Sequence, residues 1–200
     1  DFEYYEPKFT NSLNILKKNN SVPLSSVVNI KKSKSKQLCQ PDISVRYVEI
    51  SDVSPTSSEI ISFSTMLVHE LPSRASYEIH KGEIITSVAG NAIGTNRHAS
   101  AIVSSEFDGC ICTNGFRVLT PHNIDPYYLL YYLRTPYFLD QVFQLRTGAA
   151  IPSISDIDFA NIQIYLPKKE IMLSISEKVK ESIYLREKAQ EIIKGDFLAL

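Results

Sequence analysis

The sequence predicts an α/β (α+β) fold, with a small twisted sheet of mixed or antiparallel strands, surrounding helices and a long C-terminal pairing helix. Three observations predict it. Residues 81–119 break into short apolar runs of strand length, separated by polar turns that contain glycine. Helix patterns with readable starts follow between residues 125 and 145. After Pro167, apolar residues recur at helical spacing over about six turns.

Two hundred residues with 44% hydrophobic and 22% charged residues suit one domain with a real core plus an appendage. We expect a domain over 1–166 and an amphipathic helix over 167–200. The net charge is −1, so any electrostatic attraction to nucleic acid must be local. Cys39, Cys110 and Cys112 form no disulfide pattern, which points to a reducing, cytoplasmic setting. No run reaches transmembrane length, so no membrane is expected as a partner. The opening DFEYYEPKF has neither a starting Met nor a signal-peptide pattern, and a fragment of a longer chain is expected.

Taken in order, Phe9, Leu13 and Leu16 lie at helical spacing, and Lys17-Lys18-Asn19-Asn20 stops that helix. Residues 22–30 read as a 3₁₀ turn and a strand. Lys31-Lys32-Ser33-Lys34-Ser35-Lys36 is either a solvated loop or a phosphate clamp, since lysine is a point charge indifferent to sequence. Residues 45–53 alternate as a strand, 54–64 form a serine-rich loop, and 63–71 are ambiguous between strand and helix. Arg74 follows a turn. It is either a solvated arginine or a fork for phosphate or guanine.

Ile84, Ile85 and Val88 mark the first central strand, residues 99–103 the second and residues 110–119 the third. Between the first two, Gly90-Asn91-Ala92-Ile93-Gly94-Thr95-Asn96-Arg97-His98 suits an exposed loop whose side chains can read base edges. Asp125 is placed as an N-cap with Pro126 at the first helical position. Tyr128, Leu129, Tyr132 and Leu133 share one face of that helix, and a second helix runs through Phe138, Val142 and Leu145. Residues 146–155 form a small-residue loop, either ordinary or approaching a phosphate with Arg146 beside it. Ser155 and Asp158 cap a short helix, and residues 162–166 form a strand. The last helix carries an apolar stripe through Ile171, Ile175, Val179, Ile183, Ala189 and Ile192, with charges nearly balanced around it. With little of its own domain to cover, this helix is expected to seek a partner helix.

No catalytic set is visible. The E-x-K at Glu6-Pro7-Lys8 has no preceding acid at strand spacing, and Asp125-Pro126-Tyr127-Tyr128 lacks the second proline of a base-gripping methyltransferase loop. Cys110-x-Cys112 does not match the usual zinc spacings, and both cysteines suit one buried strand face. No P-loop or nucleophile elbow is present. We therefore expect no enzymatic activity, cofactor or metal.

Several short pieces in order carry a resemblance. They are Leu71-Pro72-Ser73-Arg74-Ala75, Lys81-Gly82-Glu83-Ile84-Ile85-Thr86-Ser87 and Thr113-Asn114-Gly115-Phe116-Arg117-Val118-Leu119, then Asp125-Pro126-Tyr127-Tyr128-Leu129, the glycine loop from Gly148 and Ile164-Tyr165-Leu166-Pro167. The chain resembles a target-recognition domain of the specificity (S) subunits of type I restriction-modification systems. The resemblance implies a non-catalytic module that reads one half of a bipartite DNA target and directs methyltransferase and endonuclease subunits. On that reading Lys31, Lys32, Lys34, Lys36 and Arg146 hold phosphates. Arg74, Asn91, Asn96, Arg97 and His98 read base edges, and Thr147 and Ser153 lie on the loop approaching DNA. The implied partners are double-stranded DNA, the modification and restriction subunits, and a second recognition domain or a second copy through the C-terminal helix. Two alternatives stay open: the specificity domain of a fused (type IIG-like) restriction-methyltransferase, and a protein-interaction adaptor built on that helix.

Overall fold

The computed structural model describes residues 12, 14–16 and 18–198, except for the side chains of residues 194 and 196–198. In chain order the strands are β1 (Ser21–Pro23), β2 (Val28–Ile30), β3 (Ser44–Val48), β4 (Val53–Ser54), β5 (Glu59–Ile60), β6 (Ser64–Leu67), β7 (Ala75–Glu78), β8 (Ile84–Ser87), β9 (Ser100–Ile102), β10 (Ile111–Thr113), β11 (Phe116–Pro121) and β12 (Gln163–Tyr165). The helices are α1 (Pro126–Tyr132), α2 (Pro136–Leu145), α3 (Asp156–Ala160) and α4 (Lys169–Leu198). Phe9, Leu13 and Lys17 of the expected N-terminal helix lie outside the described residues. Ser12, Asn14, Ile15, Leu16 and Lys18 are helical, and Leu16 is buried.

Two four-stranded sheets dominate. One has the order β2-β11-β8-β9 and is antiparallel throughout; the other has the order β6-β3-β10-β7, with β3 and β10 parallel. The mixed α/β class is as the sequence predicts. The first sheet is buried on both faces, and period-2 alternation sorts its side chains. Ile84, paired with Leu119, joins the core formed by Leu129 and Leu130 of α1 and Phe138 and Val142 of α2. Ile85, paired with Val118, faces the other way and packs with Phe116, Val48, Ile79 and Cys112 against the second sheet.

The expected third strand, residues 110–119, is instead two strands in different sheets, β10 and β11. They are separated by Asn114-Gly115, where the Asn114 N–H donates to Arg74 O at 2.7 Å. A Cβ on Gly115 would come within 2.8 Å of the Ile50 side chain, so glycine lets the chain cross between sheets at this point. The strand expected over 45–53 ends at Val48 and passes into a 3₁₀ turn, Ile50–Asp52. The expected 54–64 loop contains the β4–β5 hairpin, and the ambiguous 63–71 stretch is β6 followed by a 3₁₀ turn.

Local signals placed the helix starts well. The Asp125 carboxylate accepts from the N–H groups of Tyr127 and Tyr128, and Pro126 opens α1. The Ser155 hydroxyl accepts from the Asp158 N–H at the start of α3. Cys110 and Cys112 lie buried between the sheets, and burial pushes the Cys112 thiol up to about 12.

α4 packs on α1, and here the expectation of a helix with little of its own domain to cover is corrected. Met172, Ile175, Val179 and Ile183 are partly buried on the helical core, so this part of the stripe serves the domain, while Ile171 is exposed. Arg186 fastens the helix to the β4–β5 hairpin through Glu59 and the Ser57 carbonyl, both at 3.0 Å. Leu185 and Ile192 are 58% and 63% exposed, and Ala189 is exposed as well. No helix among the described residues is long and apolar enough to cross a membrane.

Phe116 is fully buried where β11 leaves the crossover. Phe116→Ala should lower stability by about 3–5 kcal/mol, read by urea unfolding.

Candidate nucleic-acid interface

The direction of the strands decides which loops can meet. β2 and β8 both run antiparallel to β11, so both leave the sheet at the end where β11 begins. The Lys31 N–H extends the β2 ladder to Val118 O at 2.9 Å, and the Val88 N–H extends that of β8 to Gly115 O at 2.8 Å. The 90–98 loop therefore emerges beside the Asn114-Gly115 crossover, whereas the lysine segment leaves level with Val118 and runs along β7, where Gln37 Nε2 donates to Gly109 O at 3.4 Å. Residues 146–154 dock at the same end: Ile154 N–H donates to Val88 O at 3.0 Å and Gly90 N–H to Pro152 O at 2.8 Å. Thr147 and Ser153 exchange two backbone hydrogen bonds of 2.8 Å, which closes this loop on itself.

The 90–98 loop is held from inside. Ile93 is buried in the helical core. Gly94 has φ +72° and lies so close to α2 that a Cβ would meet the Phe143 backbone nitrogen at 2.5 Å. Thr95 Oγ1 donates to Ala92 O at 2.8 Å and accepts from the Arg97 N–H at 3.1 Å. Asn91, Asn96 and Arg97 are exposed, and no hydrogen bond or ion pair engages their side chains among the described residues.

His98 departs from the sequence expectation of a base-reading residue. It is 5% exposed. The Gly94 N–H donates to Nδ1 at 3.0 Å, which fixes the proton on Nε2. Nε2–H then donates to Thr86 Oγ1 at 2.8 Å, and Thr86 in turn donates to Ser100 Oγ at 2.8 Å. The Phe138 ring packs edge-on against the imidazole at 5.5 Å. Burial lowers its pKa to about 4. Both ring nitrogens are used inside the protein, so this side chain has no edge to offer a base.

Lys31 also points inward. Its Nζ bonds Glu83 at 3.0 Å and Glu78 O at 2.7 Å, and Glu83 accepts in addition from Thr120 Oγ1 at 2.9 Å. Lys31 neutralises a nearly buried carboxylate, a structural task that withdraws it from phosphate binding. Ser35 fixes the rest of the segment along β7 through Glu78 Oε2 and the Ser76 carbonyl, both at 2.8 Å. Lys32, Lys34 and Lys36 stand exposed on that track without a partner among the described residues.

The remaining candidates are partly engaged. Arg146 is half-buried, stacked 3.6 Å above the Phe143 ring, and its Nη1 donates to Ile93 O at 3.2 Å, so it ties the two loops together. Arg74 is paired with Glu49 beside the crossover. Thr147 and Ser153 are exposed.

Sequence reasoning missed Arg117, an ordinary arginine in a strand pattern. It bonds Asp156 at 2.7 Å and Asn114 O at 2.9 Å, and with Lys32, Tyr77 and Asn161 it lines a groove of about 440 Å³. Glu83 was missed as well, since its partner Lys31 lies 52 residues away.

The model of a family described as the type I restriction modification DNA specificity domain matches residues 14–194. Among solved structures, the HsdS subunit from Thermoanaerobacter tengcongensis is 27% identical with a TM-score of 0.67, over 86% of this chain and 43% of that one. A chain solved in work on the structural basis underlying complex assembly and conformational transition of the type I R-M system is 24% identical with a TM-score of 0.68, over 90% of this chain and 45% of that one. The type I restriction-modification S subunit from M. genitalium, 16% identical with a TM-score of 0.51, covers 80% of this chain and 37% of that one. The last two show the fold alone. The chain spans less than half the length of these solved chains. No curated protein matches it.

The buried imidazole carries a pH signature. Its pKa is about 4 in the folded chain against 6.5 for a free histidine. Folding therefore excludes a proton between those values, and the stability His98 contributes falls as pH drops from 6.5 towards 4. The loss should reach about 3 kcal/mol, on the order expected for that shift. Urea unfolding at stepped pH should show this component in the natural chain and not in His98→Asn.

Proposed function

This chain belongs to the family of type I restriction modification DNA specificity domains, and we infer from that premise that it reads one half of a bipartite DNA target. The observation that carries the reading is the convergence of the 90–98 loop and residues 146–154 at one end of the central sheet, with the lysine segment on a track along β7. There they carry polar and cationic side chains that the protein itself leaves unpaired. Lys32, Lys34 and Lys36 act as point charges that hold phosphates and set the register of the domain on the duplex. Asn91, Asn96 and Arg97 project from the preorganised loop and read base edges, asparagine suiting adenine and arginine suiting guanine. Thr147 and Ser153 supply hydroxyls on the neighbouring loop. Arg146 positions the two loops against each other, and Arg74 flanks them while sharing its charge with Glu49.

In this reading the chain performs no chemistry. Modification and restriction subunits carry out methyl transfer and cleavage, and the domain directs them to their site. The exposed far half of α4 pairs with a matching helix, from a second recognition domain or a second copy, and so sets the distance between the two half-sites. A helix of 30 residues is about 45 Å long, which is enough to hold two domains apart.

Arg97→Ala should relax specificity at one base pair by roughly 1–3 kcal/mol. Lys34→Ala should weaken binding to every duplex alike and reduce the salt slope by about 1. Binding titrations against target and random duplex over a range of salt read both. Unchanged binding in both variants would remove these loops from the interface.

A further inference from the structure

The reading above assigns the readers but leaves open what aims them, and on that reading we propose that His98 is the positioning residue of the recognition loop. The loop spans residues 90–98, and its exposed readers Asn91, Asn96 and Arg97 lie on both sides of Gly94. Gly94 is the point where the backbone touches α2, with no room for a Cβ. Its N–H is not used in backbone pairing; it donates to His98 Nδ1. The imidazole thus ties the middle of the loop to its own end, four residues on.

The same ring reaches the sheet through Nε2 and Thr86, and Thr86 continues to Ser100 on the adjacent strand. Phe138 closes the remaining side. The loop apex, two strands and a helix therefore meet on one side chain. A neutral histidine can do this because it offers one acceptor and one donor on opposite sides of a rigid ring. Reading bases in a groove requires side chains held in a defined geometry before contact, and here the rigidity comes from a buried pin rather than from the readers themselves.

Two substitutions separate the two bonds. In His98→Asn the amide oxygen stands near the position of Nδ1 and can accept from Gly94. In His98→Gln the amide nitrogen reaches towards Thr86, and Gly94 loses its acceptor. The subunit containing this chain is used to select duplexes from a randomised pool, and both variants are measured against the selected and the random duplex. Amide hydrogen exchange is followed at Gly94.

His98→Gln should lose roughly tenfold or more of its preference for the selected duplex, about the worth of one base contact, with affinity for random duplex unchanged. Its Gly94 amide should exchange faster, and His98→Asn should keep both the preference and the protection. Preserved preference and protection in His98→Gln would overturn the proposal while leaving the DNA reading intact. Equal loss in both variants would also overturn it, because the Gly94 bond would then not be the determinant. If the unsubstituted protein selects no sequence, the DNA reading itself fails and this proposal with it.

Discussion

The pairing of Ile84 with Leu119 and of Ile85 with Val118 sends neighbouring side chains into two different cores. A sheet buried on both faces has its register fixed by that alternation, since a slip of one residue would exchange the two faces entirely. The ends of β2, β8 and β11 are consequently fixed in space, and the loops that leave there inherit their positions. Gly115 permits the crossing into the second sheet, and Gly94 permits the close approach of the loop to α2. The candidate interface follows from this central sheet more than from any property of its own loops.

Charge shows a parallel economy. The chain has a net charge of −1, yet its arginines and lysines are used unevenly. Lys31, Arg74 and Arg117 are paired with Glu83, Glu49 and Asp156 and serve the fold. Lys32, Lys34, Lys36 and Arg97 are left to the solvent. A net charge of the whole chain does not display such local groups of unpaired cations. The lining of α4 divides in the same manner, with part of its first half sealing the helical core and its far end exposed.

The sequence was most legible where one side chain acts on backbone close by. The Asp125 and Ser155 caps, Pro126 at the start of α1, and the 3₁₀ turn at Leu24 with the strand after it could all be read from neighbours a few residues apart. Contacts between distant residues were not legible. Nothing near Lys31 announces Glu83, and nothing near His98 announces Thr86 or Phe138, so an inward lysine and a buried histidine both looked like surface groups. The break between β10 and β11 does carry a local signal, the Asn114-Gly115 turn between two apolar runs, which a reading of residues 110–119 as one strand passes over. The stripe of α4 gave the correct face, but periodicity does not say what covers a face. For that reason periodicity alone does not separate Ile175, Val179 and Ile183, which pack on the helical core, from residues that face a partner helix.

The most direct measurement is a map of methylated adenines in cells that express the full-length gene with its neighbouring methyltransferase. It should be compared with the map from cells carrying the same gene with residues 90–98 and 147–153 exchanged for those of a related domain. The account requires a split motif in which the bases of one half change and the other half and the spacing stay. An identical motif after the exchange would contradict the claim that these loops, held at one end of the central sheet, read the target.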